Sequence, residues 1–550
     1  MNKRTLCIVL IFSSIYLSSK AQVEKEVEVR KTYIPEIESA TKLRLQPDMV
    51  DTVQIRPEID YTITPTSVET NLSPRLYKPA TVTYWEFNRP KRGYVKAGIG
   101  YPLASVADVY VSNSNPNTNY VIGYANHNGK WGKIINDYNQ KVSALNTQNR
   151  VGAAAGMVVA ERALEGEVSY DVDVWSRSAT AHPVIERSLY QTVSLAARYG
   201  DEFIDLSKLN FNISINADRF FDREDNNNTT VGGALKMGRQ LKQGELVATA
   251  GYDYICGSDK YLNNSLFIGA IYSLSLYGWD WDLGLKYYND IVSLNGDKNP
   301  SNYLVPDVCI KRTSNKKIQP FVKIGGALSR NNYETLATTN PYIVNGEAMD
   351  VNSVSLYFRG GISGVLGNDK LSYSLFGDYT TTSNALYWAL CEEEYSSGCF
   401  DNYYIANCGE LKELSINFDL KYRPLADLTV TGGGSATHYM SLMDVSVSKP
   451  AVKLYAGGEY AIKRVLFGIK VDFNSAIYTP KIVSMLDAST ITSDVKISPT
   501  INLNAFAEYK LKNDMILFAE ADNLTNSKQY AWAGYREYGV NVMAGVKFQF

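Results

Sequence analysis

The stretch Leu414-Ser-Ile-Asn-Phe-Asp-Leu-Lys-Tyr-Arg423 decides how the chain is read. Leu414, Ile416, Phe418, Leu420 and Tyr422 alternate with Ser415, Asn417, Asp419, Lys421 and Arg423. A period of two puts the apolar set on one face of a β-strand and the polar set on the other. The same alternation recurs at Glu167–Val174, Val465–Asn474, Ile501–Lys510 and Val540–Phe550. Each run is longer than the ~5–6 residues usual in a soluble sandwich. It matches the ~9–11 residues that cross a bilayer at a tilt. One face is continuously apolar, and the other carries Lys, Asp, Glu and Asn, as a watery lumen requires.

From Gly93 to the end the pattern predicts about 22 such strands. Short connections, such as Arg239–Gly244, Leu366–Lys370 and Lys510–Asp514, alternate with long ones near 128–148, 329–350, 382–410 and 474–496. Short turns on one side and long loops on the other predict a transmembrane antiparallel up-and-down β-barrel, all-β, spanning 93–550. Both chain ends then lie on the periplasmic side. The final strand places Val540, Val542, Ala544, Val546, Phe548 and Phe550 toward lipid. It places Asn541, Met543, Gly545, Lys547 and Gln549 toward the lumen, and it must pair with the first strand near Tyr94–Tyr101. Pro306 and Pro320 fall inside expected strands, although a proline disrupts a central strand.

Residues 1–21 read as a signal peptide. Lys3 and Arg4 precede the apolar Leu6–Leu17, and Ser19 and Ala21 suit a cut after Ala21. The expected location is the outer membrane of a Gram-negative bacterium. Residues 22–92 hold seven of the chain's 18 prolines and read as an extended periplasmic or lumenal segment.

Formal net charge is −2, and no basic patch suggests nucleic acid. Five cysteines follow the signal. Cys391, Cys399 and Cys408 cluster, so one local disulfide is expected in an oxidising compartment. His127, His182 and His438 stand at no metal-ligand spacing, and no metal or cofactor is expected. There is no Gly-x-Ser-x-Gly elbow, Walker loop or His-Glu-x-x-His. Barrel enzymes carry dispersed acids, His and Ser near a rim. Three scattered histidines point away from that, and the expectation is a non-enzyme. The region 382–410, with Tyr387, Trp388, Tyr395, Phe400, Tyr403 and Tyr404, suits ligand or protein contact. It suits equally a self-packed lid over the mouth.

The C-terminal region resembles the TonB-dependent receptor family. Asn523-Leu524, Tyr530, Gly534-Tyr535, Gly539 and the terminal Phe548 to Phe550 follow the family's order, whereas Val540 stands where the family often has Arg. The Ala-Gln start after the signal resembles Bacteroidota proteins. The resemblance implies ligand import by a receptor working with TonB. The start of the mature chain is similar to a TonB box, with Glu26, Val27, Glu28 and Val29 matching its core. A free alternating strand there would augment a periplasmic partner's sheet, though any Val/Glu tail alternates in this way. Only about 70 residues precede the first strand, too few for the family's plug, so a plugless member is expected. A barrel that wide needs filling, by its long loops, by the 22–90 segment, or by another protein such as a surface lipoprotein. The expected roles are solute transport or service as the barrel subunit of an outer-membrane complex. A non-transporting assembly scaffold is the alternative. Val546, Phe548 and Phe550 are the expected signal to the barrel-insertion machinery.

Overall fold

The computed structural model describes residues 92–113, 119–177, 187–396, 399–441, 446–482, 491–512 and 514–550. The signal peptide, the Pro-rich segment and Glu26–Val29 lie outside the described residues. Among the described residues, 24 strands share one sheet. Of these, 22 close into an antiparallel barrel. The other two, Ile477–Ile482 and Ile491–Ile497, form a hairpin on the rim. No described helix is long and apolar enough to cross a membrane.

Closure follows from the ends of the chain. The first strand, Gly93–Tyr101, pairs with the last, Asn541–Gln549, from Tyr94 opposite Gln549 to Tyr101 opposite Val542. The ladder runs on to the last residue. Gly93 N–H donates to Phe550 O at 2.9 Å, and Phe550 N–H donates to Gly93 O at 3.0 Å. Gly93 is buried because the Phe550 ring lies across it; a Cβ there would stand 2.1 Å from the ring's Cζ. Phe550 also stacks on Phe548, with centroids 5.7 Å apart.

Leu414, Ile416, Phe418, Leu420 and Tyr422 are exposed on the outer face, as the alternation predicts. Asp419, of the opposite parity, accepts a hydrogen bond from Tyr455 Oη at 2.7 Å. On the lumen face Lys547 pairs with Glu508, Lys286 with Asp307, and Lys96 with Glu520. Exposing such an apolar belt to water costs about 25 cal/mol per Å². Lipid removes that cost, and closure leaves no unpaired edge in the hydrocarbon.

The wall is uneven. The strands Met515–Asp522 and Asn541–Gln549 have 8 and 9 residues. Far round the barrel, Trp279–Leu294 and Asp297–Arg312 have 16 each. Several outer connections are also short, at 102–103, 223–226, 258–261 and 295–296, so the expected short–long alternation holds only in part. Pro306 and Pro320 are accommodated by a shortened ladder. Asp297–Arg312 pairs with Gln319–Ser329 only over Val308–Lys311, and both prolines lie just outside it. On its other side each proline stays in register, Pro306 opposite Leu285 and Pro320 opposite Ile362.

Deleting Phe550 removes the terminal hydrogen-bond pair and the cover over Gly93. The expected result is less heat-resistant, closed barrel in the membrane fraction on unheated gels. Wild-type levels would contradict this role.

Candidate functional site at the barrel mouth

The region 382–410 is mostly not a loop. Leu371–Ser396 and Cys399–Leu425 run 26 and 27 residues, well past the height of the barrel, and pair along their length. Their register shifts between Thr382 and Ala385, where Asn384 adopts a φ of 55°. A bulge bends its strand and increases its twist. Asn384 is pinned there: its O accepts from Ser353 Oγ at 2.6 Å, and its Nδ2 donates to Asn352 O at 3.1 Å.

The second component is the connection 330–352, which carries the single described helix, Tyr333–Thr339. A helix of seven residues is unstable by itself. Glu334 suits its first turn, and Pro341 follows Asn340 at its end. Packing holds it in place, with Tyr333, Leu336 and Ala337 buried. Sequence periodicity does not expose so short an element.

These parts meet in one apolar cluster. It joins Tyr190 and Phe220 of the wall to Leu336, Tyr342, Ile343, Trp388, Tyr404 and Tyr535. Tyr342 and Tyr535 stack at 3.5 Å, and Trp532 packs edge-on against Tyr404 at 5.2 Å. Such pairs add about 0.5–1.5 kcal/mol each beyond area burial. Each hydroxyl named next has a partner. Tyr333 donates to Asp222 at 2.6 Å, Tyr190 to Pro341 O at 3.0 Å, and Tyr404 to Ala533 O at 2.9 Å. The connection also bridges to the projecting hairpin, with Ile343 beside Tyr404. Tyr404 N–H donates to Tyr342 O, and Val344 N–H to Tyr404 O, both at 3.0 Å. The rim hairpin joins the same sheet through Leu390 and Cys391.

The result is a lid. Residues 330–352 leave one arc of the wall and are anchored on two others, at Tyr190 and Phe220 and at the connection 523–540. Of the aromatic region, Trp388 and Tyr404 pack within this cluster, and the side chains of Tyr395 and Phe400 lie outside the described ones. What the sequence did not signal is the lid's other half, Tyr333–Ile343, and its wall anchors.

The three clustered cysteines lie on the projecting hairpin, and the side chain of Cys399 is outside the described ones. Cys391 lies opposite Tyr403, Cys399 opposite Ser396 and Cys408 opposite Leu386, so no two are cross-strand partners. The Cys408 thiol is free. Val546, Phe548 and Phe550 lie on the closing strand, with Phe548 and Phe550 exposed on the outer face. Among the described residues no cluster of His, Cys, Asp and Glu is able to hold a metal ion.

One lid group is titratable within the accessible range. Glu347 is half-buried with its carboxyl end inward; its Oε1 accepts the Ala406 N–H at 3.0 Å, and its Oε2 has no hydrogen-bond partner in the structure. Burial pushes its carboxyl up to about 8, against the lowering effect of that single bond.

A closed antiparallel barrel of 22 strands with an apolar exterior defines a class by its fold, the outer-membrane β-barrels. Comparison with protein families gives no match, and comparison with curated proteins gives none. Solved structures do match. The chain is similar to the FrpB iron transporter from Neisseria meningitidis (F3-3 variant), with a TM-score of 0.63 and 13% identity over 84% of this chain and 82% of that one. It is similar to the copper transporter OprC, at 0.63 and 12% over 84% and 83%. It is similar to the ferric-catecholate import receptor Fiu from E. coli K12, at 0.62 and 8% over 84% and 82%. At such identities the likeness carries the fold, that of the TonB-dependent receptor barrel.

With Glu347 raised, lid closure takes up a proton between the ordinary carboxylate value and about 8. Closure is strongest below that window, weakens as pH rises through it, and is constant above. The protection factors of amides 333–347, which divide out the base-catalysed intrinsic rate, should fall more than about tenfold from pH 5 to 8.5. In Glu347→Gln these protection factors should stay level; a fall equal to that of wild type would exclude Glu347.

Proposed function

We propose that this protein is an outer-membrane solute-transport barrel whose outer mouth is gated by its own loops. One observation carries the reading: the connection 330–352 and the hairpin 371–425 form a packed lid, hydrogen-bonded to the wall beneath it. A lid built only to seal needs apolar contact. This one also rests on single replaceable bonds, such as Tyr333 to Asp222, and on a buried carboxyl that disfavours closure once it is ionised. The polar, ion-paired lumen wall below suits a hydrated solute. The fold shared with iron and copper transporters and a catecholate receptor supports import as the direction of passage. TonB, or another periplasmic protein pairing with Glu26–Val29, is the proposed source of the opening force. A surface lipoprotein is a candidate partner at the lid.

Planar-bilayer conductance tests this. The full chain should be nearly silent. Replacing 333–345 with a short Gly-Ser linker should open steps of nanosiemens order, as for wide unplugged pores. A lidless barrel that inserts and stays silent would overturn the gate and favour a scaffold that does not transport. Separately, deleting 22–40 should abolish uptake in cells while leaving the barrel assembled; unchanged uptake would remove the TonB-box reading.

A further inference from the structure

Three polar side chains stand on the outer face of the barrel where an apolar belt is expected. They lie on consecutive barrel strands, Ala104–Ser112, Asn119–Lys130 and Asn146–Val159. Ser105 shares parity with exposed Val109, His127 with exposed Val121, and Asn149 with exposed Val151, so all three belong to the outward set. The register brings them together. His127 lies directly opposite Asn149, and Ser105 lies opposite Gly129, two residues along the strand from His127.

The three form one hydrogen-bonded chain. Ser105 Oγ is 2.8 Å from His127 Nε2, and His127 Nδ1 is 2.6 Å from Asn149 Oδ1. The protons can be assigned from the neighbours. Asn149 Nδ2 donates to Val172 O at 3.3 Å, which turns Oδ1 toward the imidazole. His127 Nδ1–H therefore donates to Asn149, and Nε2 is left as an acceptor. Trp131 Nε1–H donates to Ser105 Oγ at 2.9 Å. The serine's own proton is therefore aimed at Nε2. This is the arrangement of an activated nucleophile, a base and a group that holds the base in the right tautomer.

Gly129 makes the approach feasible. A Cβ there would stand 2.6 Å from Trp131 Nε1 and 3.0 Å from both His127 Cε1 and Nε2. Any side chain at 129 would push the imidazole and indole off the serine. A polar cluster serving only the interface needs no such clearance and no chain of donors running one way.

The surroundings select the substrate. Ile99, opposite Ser105 on the first strand, is 76% exposed, and Tyr101 and Leu103 beyond it are exposed as well. Val109, Val121 and Val151 continue the apolar surface toward the membrane. The site lies next to the turn at 102–103, at the end of the barrel opposite the chain termini.

We propose that Ser105, His127 and Asn149 form a serine hydrolase site that cleaves acyl esters of membrane lipids from the outer face of the barrel. Ser105 Oγ attacks the ester carbonyl carbon while its proton passes to His127 Nε2. The indole N–H of Trp131, which donates to Ser105 Oγ before attack, is freed to turn toward the developing oxyanion. The C–O bond to the lipid alcohol breaks, and His127 returns the proton to that alcohol, leaving an acyl-serine. Water then adds with His127 as base, releasing the fatty acid and restoring Ser105. Asn149 is a positioning residue, acting through His127.

The test uses the full chain folded in detergent, with heat-modified gel mobility confirming closed barrels. An alkyl fluorophosphonate should attach to Ser105, located by peptide mapping. Ser105→Ala should abolish labelling, and His127→Gln should slow it more than about a hundredfold. Asn149→Ala should slow labelling similarly, while Asn149→Asp should restore it to within about tenfold. Gly129→Leu should mimic His127→Gln without touching a triad member. Two substrate arms separate the lipid sources: phosphatidylethanolamine vesicles and lipopolysaccharide micelles, each assayed for free fatty acid. Release in either arm that requires Ser105 supports the site and names its lipid. Labelling elsewhere, or release that survives Ser105→Ala, or folded wild type inert in both arms, would overturn it.

Discussion

Backbone hydrogen bonding without water is the constraint on which the rest depends. In hydrocarbon each unpaired N–H or C=O costs several kcal/mol, so an open sheet cannot persist there. The chain meets this condition at one seam, where its first and last strands pair and Phe550 exchanges two backbone hydrogen bonds with Gly93. Once closed, the sheet must be apolar outside and polar within. The period of two along every strand is the sequence form of that rule. Pro306 and Pro320 fit it on one side, since both lie outside the four-pair ladder that joins their two strands.

Closure creates a second demand, because a wide ring leaves a hole. The mouth is covered by chain that continues the same chemistry above the membrane. The hairpin is more β-sheet, bent at a bulge, and the 340–344 segment is bridged to it at Tyr404. The aromatic cluster fastens this extension to the wall. Because its tyrosine hydroxyls reach partners on separate elements, the lid is held by discrete contacts and has one specified closed form. The inward carboxyl of Glu347 makes part of that hold depend on pH.

The barrel was legible because a local signal repeats down the chain. Leu414–Arg423 already contains the fold, and terminal Phe550 marks its seam. The lid was half legible. Tyr387, Trp388 and Tyr404 stood out by composition, but their partners Tyr190, Phe220 and Tyr535 are distant in sequence and lie in ordinary strand or loop context. A helix of seven residues is too short to show a period. The outer polar chain was not legible at all. Ser105, His127 and Asn149 are each 22 positions from the next, on three different strands, and only cross-strand register makes them neighbours. Strand parity offered one clue: each falls on the lipid-facing set, where a polar residue is out of place.

The uneven wall has a consequence for the membrane. At the seam, strands of 8 and 9 residues are tilted, as closure requires. With a tilt near 45° they stand about 20 Å tall, at the lower limit of the ~9–11 residues that cross a bilayer and well below the 16-residue strands across the barrel. Lipids beside the seam are compressed relative to those beside the tall wall, at fractions of a kcal/mol per Å of mismatch. Compression draws the headgroup layer down beside the first strands, and with it the linkage between glycerol or sugar and acyl chain. Ester bonds that normally sit level with a barrel's rim are thereby lowered along the flank that carries Ile99 and Ser105.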